Sequence, residues 1–288
     1  MLDVLVAYPG LAAAGAGIVG LMVGSFLNVV IARLPARIEH EWRSQSREVL
    51  ELEPVEEAPP PGLVRPASRC PHCNNPIRAH QNIPVVSYLL LGGKCAQCKA
   101  RISIQYPLVE LLTGLLSAYV IWHFGPTVQG ASMLVLTWFL IAMSGVDIKT
   151  QLLPDNLTLP LIWFGLLLSL WSVFIPAEAA IVGAIAGYMS LWTVFQLFRL
   201  VTGKQGMGYG DFKLLAVFGA FGGWELLPLI IIMSSLVGAV VGSIALKMQG
   251  ADRQTPIPFG PYLAIAGWIG LIWGQQLIGA YLSFAGLE

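Results

Sequence analysis

Long stretches without charged residues recur along this chain and constrain its fold more than any single motif does. A helix needs about 20 mostly apolar residues to cross a hydrocarbon core of roughly 30 Å. The chain is also 56% hydrophobic and only 11% charged. Its apolar stretches and this composition together predict an all-α polytopic membrane protein with about eight transmembrane helices. The apolar stretches lie within residues 4–32, 104–123, 128–146, 157–176, 179–198, 212–227, 229–246 and 260–283.

The stretch at residues 212–227 is ambiguous, because it is short and rich in glycine and can either span or re-enter the membrane. If it spans, every Lys and Arg falls on one side, and cytoplasmic loops are the ones enriched in these residues. Arg33 and Arg37 then hold the end of the first span in the cytoplasm. The pattern predicts a multi-pass membrane protein with its N-terminus outward. Asp3 and the lack of a basic n-region argue against a cleaved signal peptide.

Polar residues concentrate between residues 33 and 103, which hold ten of the sixteen Lys and Arg and seven of the sixteen Asp and Glu. We therefore expect a first transmembrane segment at 1–32, a cytoplasmic loop domain at 33–103 and a membrane core at 104–288. Within the loop, residues 39–52 are compatible with a short exposed helix, and the proline-rich run at 53–62 with a stiff spacer. The net charge of zero gives no sign of a nucleic-acid partner, and none is expected.

The four cysteines of the chain form two Cys-x-x-Cys motifs in this loop. Cys70 and Cys73 are separated from Cys95 and Cys98 by 21 residues, which is close to the spacing of a structural zinc site. Disulfides are the alternative, but they are rare in a reducing cytoplasm. Four thiolates around zinc can also fold a loop that is too polar to form its own core. The pattern favours a small zinc-binding domain whose metal is structural, because a four-sulfur site has no open coordination position.

Two aspartates, Asp147 and Asp211, fall at the same predicted end of two different spans. An ionisable group near hydrocarbon is costly unless it is paired or wetted, so it is a functional candidate. Two carboxylates a few ångströms apart would share a proton and could activate water, the ionised one accepting its proton and the protonated one polarising a carbonyl. Either aspartate alone is equally compatible with a helix cap. Glycines at 206, 208 and 210 favour catalysis, because they let the backbone bend sharply and are costly in an ordinary cap.

Three further polar residues have structural interpretations. Asp155, within Leu-Pro-Asp-Asn at 153–156, is typical of a turn. Glu110, about six residues or roughly 9 Å into the second span, must find a partner or water. Asn28, in the first span, is expected to hydrogen-bond a neighbouring helix.

A set of motifs along most of the chain resembles one known family. They read Gly-Ser-Phe-Leu-Asn-Val-Val at 24–30, Arg-Leu-Pro at 33–35, Tyr-Pro-Leu-Val-Glu-Leu-Leu at 106–112, Leu-Pro-Asp-Asn-Leu-Thr at 153–158, Gly-Tyr-Gly-Asp-Phe-Lys-Leu at 208–214 and Ile-Pro-Phe-Gly-Pro-Tyr at 257–262. Together with the paired cysteines, they resemble the bacterial type IV prepilin peptidases. These are bifunctional membrane leader peptidases and N-methyltransferases of the aspartic class with a Gly-x-Gly-Asp motif.

The resemblance implies that Asp147 and Asp211 are the catalytic pair, with Gly208 and Gly210 in the catalytic loop. It implies cleavage of the basic leader of prepilins or pseudopilins at a glycine before the mature N-terminus, on the cytoplasmic side of the membrane. The new N-terminal residue, usually phenylalanine, would then be methylated with S-adenosylmethionine. Gly93 and Lys94 are the positions in the loop that the resemblance assigns to this cofactor. The implied partners are a substrate with an apolar N-terminal helix, and membrane lipid.

A proton-coupled membrane transporter is the alternative from another class, since intramembrane carboxylates and glycine-broken helices also occur there. It leaves the cysteines unexplained, the chain shows no internal repeat, and both aspartates lie at one surface. A presenilin-type intramembrane protease does not predict the cysteine loop. In a purely structural scaffold, both aspartates would be replaceable.

Overall fold

Helices dominate the computed structural model, which describes residues 6–53, 58–204, 206–249 and 258–286. Within these ranges the only β-structure is two isolated bridges in the cysteine loop, so the predicted all-α class is confirmed. The proline-rich run at 53–62 lies partly outside the described residues. In chain order the α-helices include α1 (Pro9–Val49), α2 (Val86–Leu90), α3 (Gln105–Phe124), α4 (Val128–Thr150), α5 (Asp155–Ser169), α6 (Ala177–Thr202), α7 (Tyr209–Gly222), α8 (Leu227–Gln249) and α9 (Gly260–Ala285).

The chain folds as two compact units, an N-terminal unit (Met1–Ala142) and a C-terminal unit (Met143–Glu288). The boundary falls inside α4, so the last turns of that helix belong to the C-terminal unit. The division at residues 32 and 103 drawn from charge and hydropathy stays a prediction.

Close packing of α1 against α3 organises the N-terminal unit. A Cβ on Gly24 would lie 2.7 Å from the Cα of Glu110, and one on Gly20 would lie 2.5 Å from the Oγ of Ser117. Small residues at such positions let two helix backbones approach closely, as is common in membranes. The packing places Glu110 directly beside α1.

The first helix is longer than its apolar stretch. α1 continues without interruption for 41 residues to Val49, so the exposed helix expected at 39–52 is the end of α1 and not a separate element. Its polar part carries an ion pair at the favourable i,i+4 spacing, from Arg43 to Glu39 at 2.5 Å. Helix propensity and such pairs continue the helix past the end of the hydrophobic signal.

The centre of the C-terminal unit is α7, whose residues from Asp211 to Phe221 are all buried except Lys213. It packs tightly on α6, because a Cβ on Gly183 would collide with the carbonyl oxygen of Gly219. Phe212, Phe218 and Phe221 are fully buried in this core. A helix that is apolar on all sides is typical of the interior of a protein.

The predicted count of about eight spans is loose when it is compared with the lengths of the helices. Six helices of the described residues, α1, α3, α4, α6, α8 and α9, are long and apolar enough to cross a membrane. α5 has 15 residues and α7 has 14, which correspond to about 22 Å and 21 Å at 1.5 Å per residue. Both helices are shorter than a hydrocarbon core of roughly 30 Å.

Candidate active site

Asp147 lies in the last turn of α4 and is only 5% exposed. Its Oδ2 accepts a hydrogen bond from the backbone N–H of Gly260 at 2.9 Å. Gly260 is the first residue of α9, where the N–H groups have no partner within their own helix and attract negative charge. The start of α9 therefore orients this carboxylate.

Asp211 lies in the first turn of α7 and is 8% exposed. Its carboxylate interacts electrostatically with that of Asp147, so the structure brings the two predicted aspartates together within the C-terminal unit. Two carboxylates buried near each other do not both ionise readily. The end of α4 and the starts of α7 and α9 thus meet at a pair of acids.

Leu153 packs between the start of α7 and the start of α9. A Cβ on Gly210 would lie 2.5 Å from the Cβ of Leu153, and a Cβ on Gly260 would lie 3.1 Å from Leu153 Cδ1 and 2.8 Å from Asp147 Oδ2. Glycine is required at both positions because any side chain would push against Leu153 or the Asp147 carboxylate. The family resemblance alone placed the motif that contains Gly260 near the aspartates. The sequence predicted no contact for Leu153 or Gly260, since such contacts depend on residues far apart in the chain.

The glycines before Asp211 do not make the sharp backbone bend that was expected of them. Gly206, Gly208 and Gly210 are not among the described residues with positive φ, and Gly208 has an ordinary extended conformation, with φ −84° and ψ 150°. Gly206 packs against the ring of Phe198. Gly206 and Gly210 provide close approach, not unusual backbone conformation.

Asp155 begins α5 and does not lie in a turn as expected. Its Oδ1 pairs with the ammonium group of Lys213 at 2.5 Å. Because Lys213 lies two residues after Asp211, this ion pair links the start of α5 to the first turns of α7. The pair was not predicted, and its exposed carboxylate limits its contribution to stability.

The four cysteines form a cluster with the geometry of a zinc site. Their sulfur atoms all lie within 4.8 Å of one another, and the Sγ atoms of Cys70 and Cys98 are 3.8 Å apart. Tetrahedral ligands at the usual Zn–S distance of about 2.3 Å would have sulfurs about 3.8 Å apart. The four sulfurs are therefore close enough together to hold a zinc ion.

Both cysteine motifs are tight turns whose backbone N–H groups face sulfur. The pKa of Cys95 is lowered to about 6 by the backbone N–H of Cys98 and then by that of Gln97. The backbone hydrogen bond from Cys73 likewise lowers the pKa of Cys70. Backbone donors of this kind stabilise thiolates, the form that binds metal.

A cavity of about 260 Å³ lies in the N-terminal unit between α1, the cysteine loop and α3. Neither Gly93 nor Lys94 lines it, but Tyr88 does, and a Cβ on Gly93 would lie 3.0 Å from the Tyr88 hydroxyl. Gly93 also has a φ of +67°, which favours glycine. Asn28 and Glu110, both buried, face the cavity. These oxygen acceptors fit a ligand that carries positive charge, as S-adenosylmethionine does.

Comparison with known proteins assigns the chain to a family. Residues 134–243 match the type IV leader peptidase family, and residues 18–124 match the bacterial peptidase A24 N-terminal domain. The chain is 56% identical to a Pseudomonas aeruginosa protein over 288 residues, which are 100% of this chain and 99% of that protein. It is 59% identical to a Stutzerimonas stutzeri protein over 94% of this chain and 93% of the relative. Both relatives are named prepilin leader peptidase/N-methyltransferase. This chain belongs to the type IV leader peptidase family.

Family membership confirms the resemblance found in the sequence and the predicted peptidase class, and it disfavours the transporter. A Xanthomonas campestris pv. campestris relative of the same name is 54% identical over 98% of both chains. No solved structure matches the chain. The two family regions cover both members of the aspartate pair and all four cysteines of this leader peptidase.

Proposed function

We propose that this chain is a prepilin leader peptidase and N-methyltransferase whose proteolytic residues are Asp147 and Asp211. The observation that carries the proposal is the pairing of two buried carboxylates at one end of α4 and α7. No serine or cysteine nucleophile is needed, because such a pair activates water directly.

In the cleavage step, the ionised aspartate takes a proton from water while the protonated aspartate donates a hydrogen bond to the scissile carbonyl oxygen. The water oxygen bonds to the carbonyl carbon, and the carbon–nitrogen bond then breaks. The departing nitrogen takes up a proton from the pair and becomes the new N-terminal amine. The hydrogen bond from Gly260 keeps Asp147 oriented throughout.

Burial of the pair makes this chemistry effective. In a site with little water, the charge of a carboxylate and the dipole of an N–H group act on the substrate more strongly than they would in solvent. The substrate is a prepilin or pseudopilin, cut at a glycine before the mature N-terminus. Its apolar N-terminal helix rests in lipid while its basic leader extends into the cytoplasm.

Methyl transfer is the second activity of the proposal, and it acts on the amine that cleavage releases. S-adenosylmethionine, when bound, would supply the methyl group from its sulfonium and leave as a neutral thioether, while the amine would gain an N–CH₃ bond and lose a proton. Gly93 leaves room for Tyr88 at the cavity wall, and Lys94 follows it at the start of the second cysteine turn. We assign both to the methyl-donor region of the N-terminal unit.

The zinc of the proposal is structural. Cys70, Cys73, Cys95 and Cys98 would hold it in a closed four-sulfur site, which leaves no coordination position for substrate. Its role is to join the two cysteine turns, which belong to a loop with little apolar material of its own. The enzyme lies in the inner membrane with its N-terminus outward and its aspartate pair on the cytoplasmic side.

Isosteric replacement of each aspartate tests the peptidase. We expect Asp147→Asn and Asp211→Asn each to lower kcat/KM for a prepilin-like peptide by about 100-fold or more, because neither amide can share a proton as the pair does. Glu178→Gln, at an exposed carboxylate of the same unit, should cleave at the wild-type rate. Thermal unfolding in detergent confirms that all three variants are folded. Full cleavage by either aspartate variant would remove the paired-carboxylate mechanism.

A further inference from the structure

The cavity of the N-terminal unit presents two buried side-chain acceptors that proteolysis does not use. Asn28, on α1, is 2% exposed, and Glu110, on α3, is 7% exposed. Both line the cavity. Buried acceptors of this kind need a donor or a positive charge beside them.

The orientation of the Asn28 amide is fixed by its nitrogen. Nδ2 donates to the carbonyl oxygens of Tyr106 at 3.0 Å and Gly24 at 3.3 Å, as was expected of a carboxamide between two helices. A flipped amide would set its oxygen against those two carbonyls. Oδ1 is therefore the free end, and it has no hydrogen-bond donor among the described residues.

Glu110 brings a carboxylate to the same cavity. One of its oxygens accepts the backbone N–H of Val85 at 2.8 Å, and Val85 is held at a φ of +61°, which is rare for a β-branched residue. No Lys or Arg of the described residues forms an ion pair with Glu110. A buried carboxylate without a cationic partner favours a cationic ligand.

We propose that this cavity binds the cationic end of S-adenosylmethionine, with the Glu110 carboxylate and Asn28 Oδ1 as acceptors facing its sulfonium or α-ammonium group. This inference rests on the proposed methyl transfer. At about 260 Å³, the cavity is slightly smaller than typical ligand sites of about 300–1,000 Å³. It holds part of the donor, so the remainder stays accessible from outside.

Equilibrium binding of labelled S-adenosylmethionine to the purified full-length protein, without peptide, tests the proposal. Glu110→Gln keeps an oxygen for the Val85 N–H but removes the charge, and we expect it to raise the dissociation constant by about tenfold or more, the size of a lost charge-assisted hydrogen bond. Val29→Phe, which enlarges an apolar residue of the cavity wall, should have a similar effect. Glu48→Gln makes the same charge change at an exposed site of α1 and should bind as the wild type does.

A parallel titration with S-adenosylhomocysteine identifies the cation that is recognised. This product lacks the sulfonium charge but keeps the α-ammonium group. If Glu110→Gln weakens binding of S-adenosylmethionine only, the carboxylate recognises the sulfonium. If it weakens binding of both ligands equally, the carboxylate recognises the α-ammonium group. Either result supports the site. Unchanged zinc content shows that the N-terminal unit of each variant is folded.

Other outcomes overturn the proposal in distinguishable ways. If Glu110→Gln and Val29→Phe bind the donor normally and the wild type methylates a free-amine peptide, the cavity is not the donor site and the proposed function stands. A raised KM for that peptide with unchanged donor binding would instead assign the cavity to the amine of the acceptor. A wild-type protein that neither binds the donor nor methylates would refute the methyltransferase function and the donor site together.

Discussion

At Gly210, the space left for a side chain decides how closely the first turn of α7 approaches Leu153. A Cβ there would lie 2.5 Å from Leu153 Cβ and 3.1 Å from its backbone oxygen. We expect Gly210→Ala to shift Asp211 and to lower the cleavage rate by about 100-fold, because a displacement of about 1 Å can cost that much. The rate is measured on a prepilin-like peptide under single-turnover conditions.

Two matched alanine variants make the Gly210 prediction specific. At Gly208, the nearest neighbour of an added Cβ is Asp211 Oδ2 at 3.8 Å, an ordinary contact, so Gly208→Ala should lose much less activity. Nothing lies within 4 Å of a Cβ on Gly279, and Gly279→Ala should behave as the wild type. Equal losses at 208 and 210 would indicate that backbone freedom, and not close approach, is what this motif requires.

The sequence singled out the two acids of the proposed site but not the residues that hold them. Asp147 and Asp211 stand out because a carboxylate is conspicuous in an apolar chain. Gly260 does not stand out, since its N–H reaches Asp147 across 113 positions and glycine is common throughout this sequence. Leu153 does not stand out either, because leucine is common in this chain and its contacts with the starts of α7 and α9 depend on the fold.

Between α6 and α7, the two backbones touch at glycines, in addition to aromatic side-chain contacts such as Phe195 with Phe212. A Cβ on Gly183 would collide with the carbonyl of Gly219, and a Cβ on Gly187 would lie 2.6 Å from the carbonyl oxygen of Leu215. We expect Gly183→Val to lower the free energy of unfolding by about 1–3 kcal/mol, the usual cost of overpacking. Thermal unfolding in detergent measures it, with Gly279→Val as the control. Unchanged stability would show that the two helices separate at little cost.

The paired cysteine turns give a prediction about metal. We expect about one zinc per chain by metal analysis, because the four sulfurs complete one tetrahedral site. Cys70→Ser and Cys98→Ser should each release it, and the freed loop should become sensitive to protease. Methyl transfer should then fall, since Cys70 and Cys95 line the cavity of the N-terminal unit. A metal-free protein with cysteines oxidised in pairs would contradict both the zinc and the cytoplasmic position of the loop.

Helix ends were the least predictable feature of these elements. A hydropathy window detects where lipid-compatible sequence begins and ends, and for α1 that signal stops near residue 32 although the helix continues to Val49. In the opposite direction, the apolar stretch at 157–176 exceeds α5, which ends at Ser169. The sequence did not decide whether α7 spans the membrane. A helix buried inside the protein and a helix surrounded by lipid both require apolar residues on all sides.

At the scale of the whole molecule, the two proposed activities belong to different compact units. The aspartate pair lies in the C-terminal unit, and the cysteine cluster and the cavity lie in the N-terminal unit. In the proposal, the C-terminal unit contributes the carboxylate pair that activates water, and the N-terminal unit contributes the buried acceptors that bind a cationic methyl donor. Variants in either unit should separate cleavage of a prepilin-like peptide from methylation of a free-amine peptide, which a single shared site would not allow.

The sidedness of the membrane core can be tested at the two ends of α6. The positive-inside bias puts Lys204, just after this helix, in the cytoplasm, and Glu178, in its first turn, outside. Both side chains are exposed. In intact spheroplasts, an impermeant maleimide should label Glu178→Cys, and it should label Lys204→Cys only after permeabilisation. The native cysteines of the loop at 33–103, which we propose to be cytoplasmic, should follow the second pattern. Labelling of Lys204→Cys in intact spheroplasts would place the start of α7, with Asp211, on the outer side, where a prepilin leader held in the cytoplasm could not reach it.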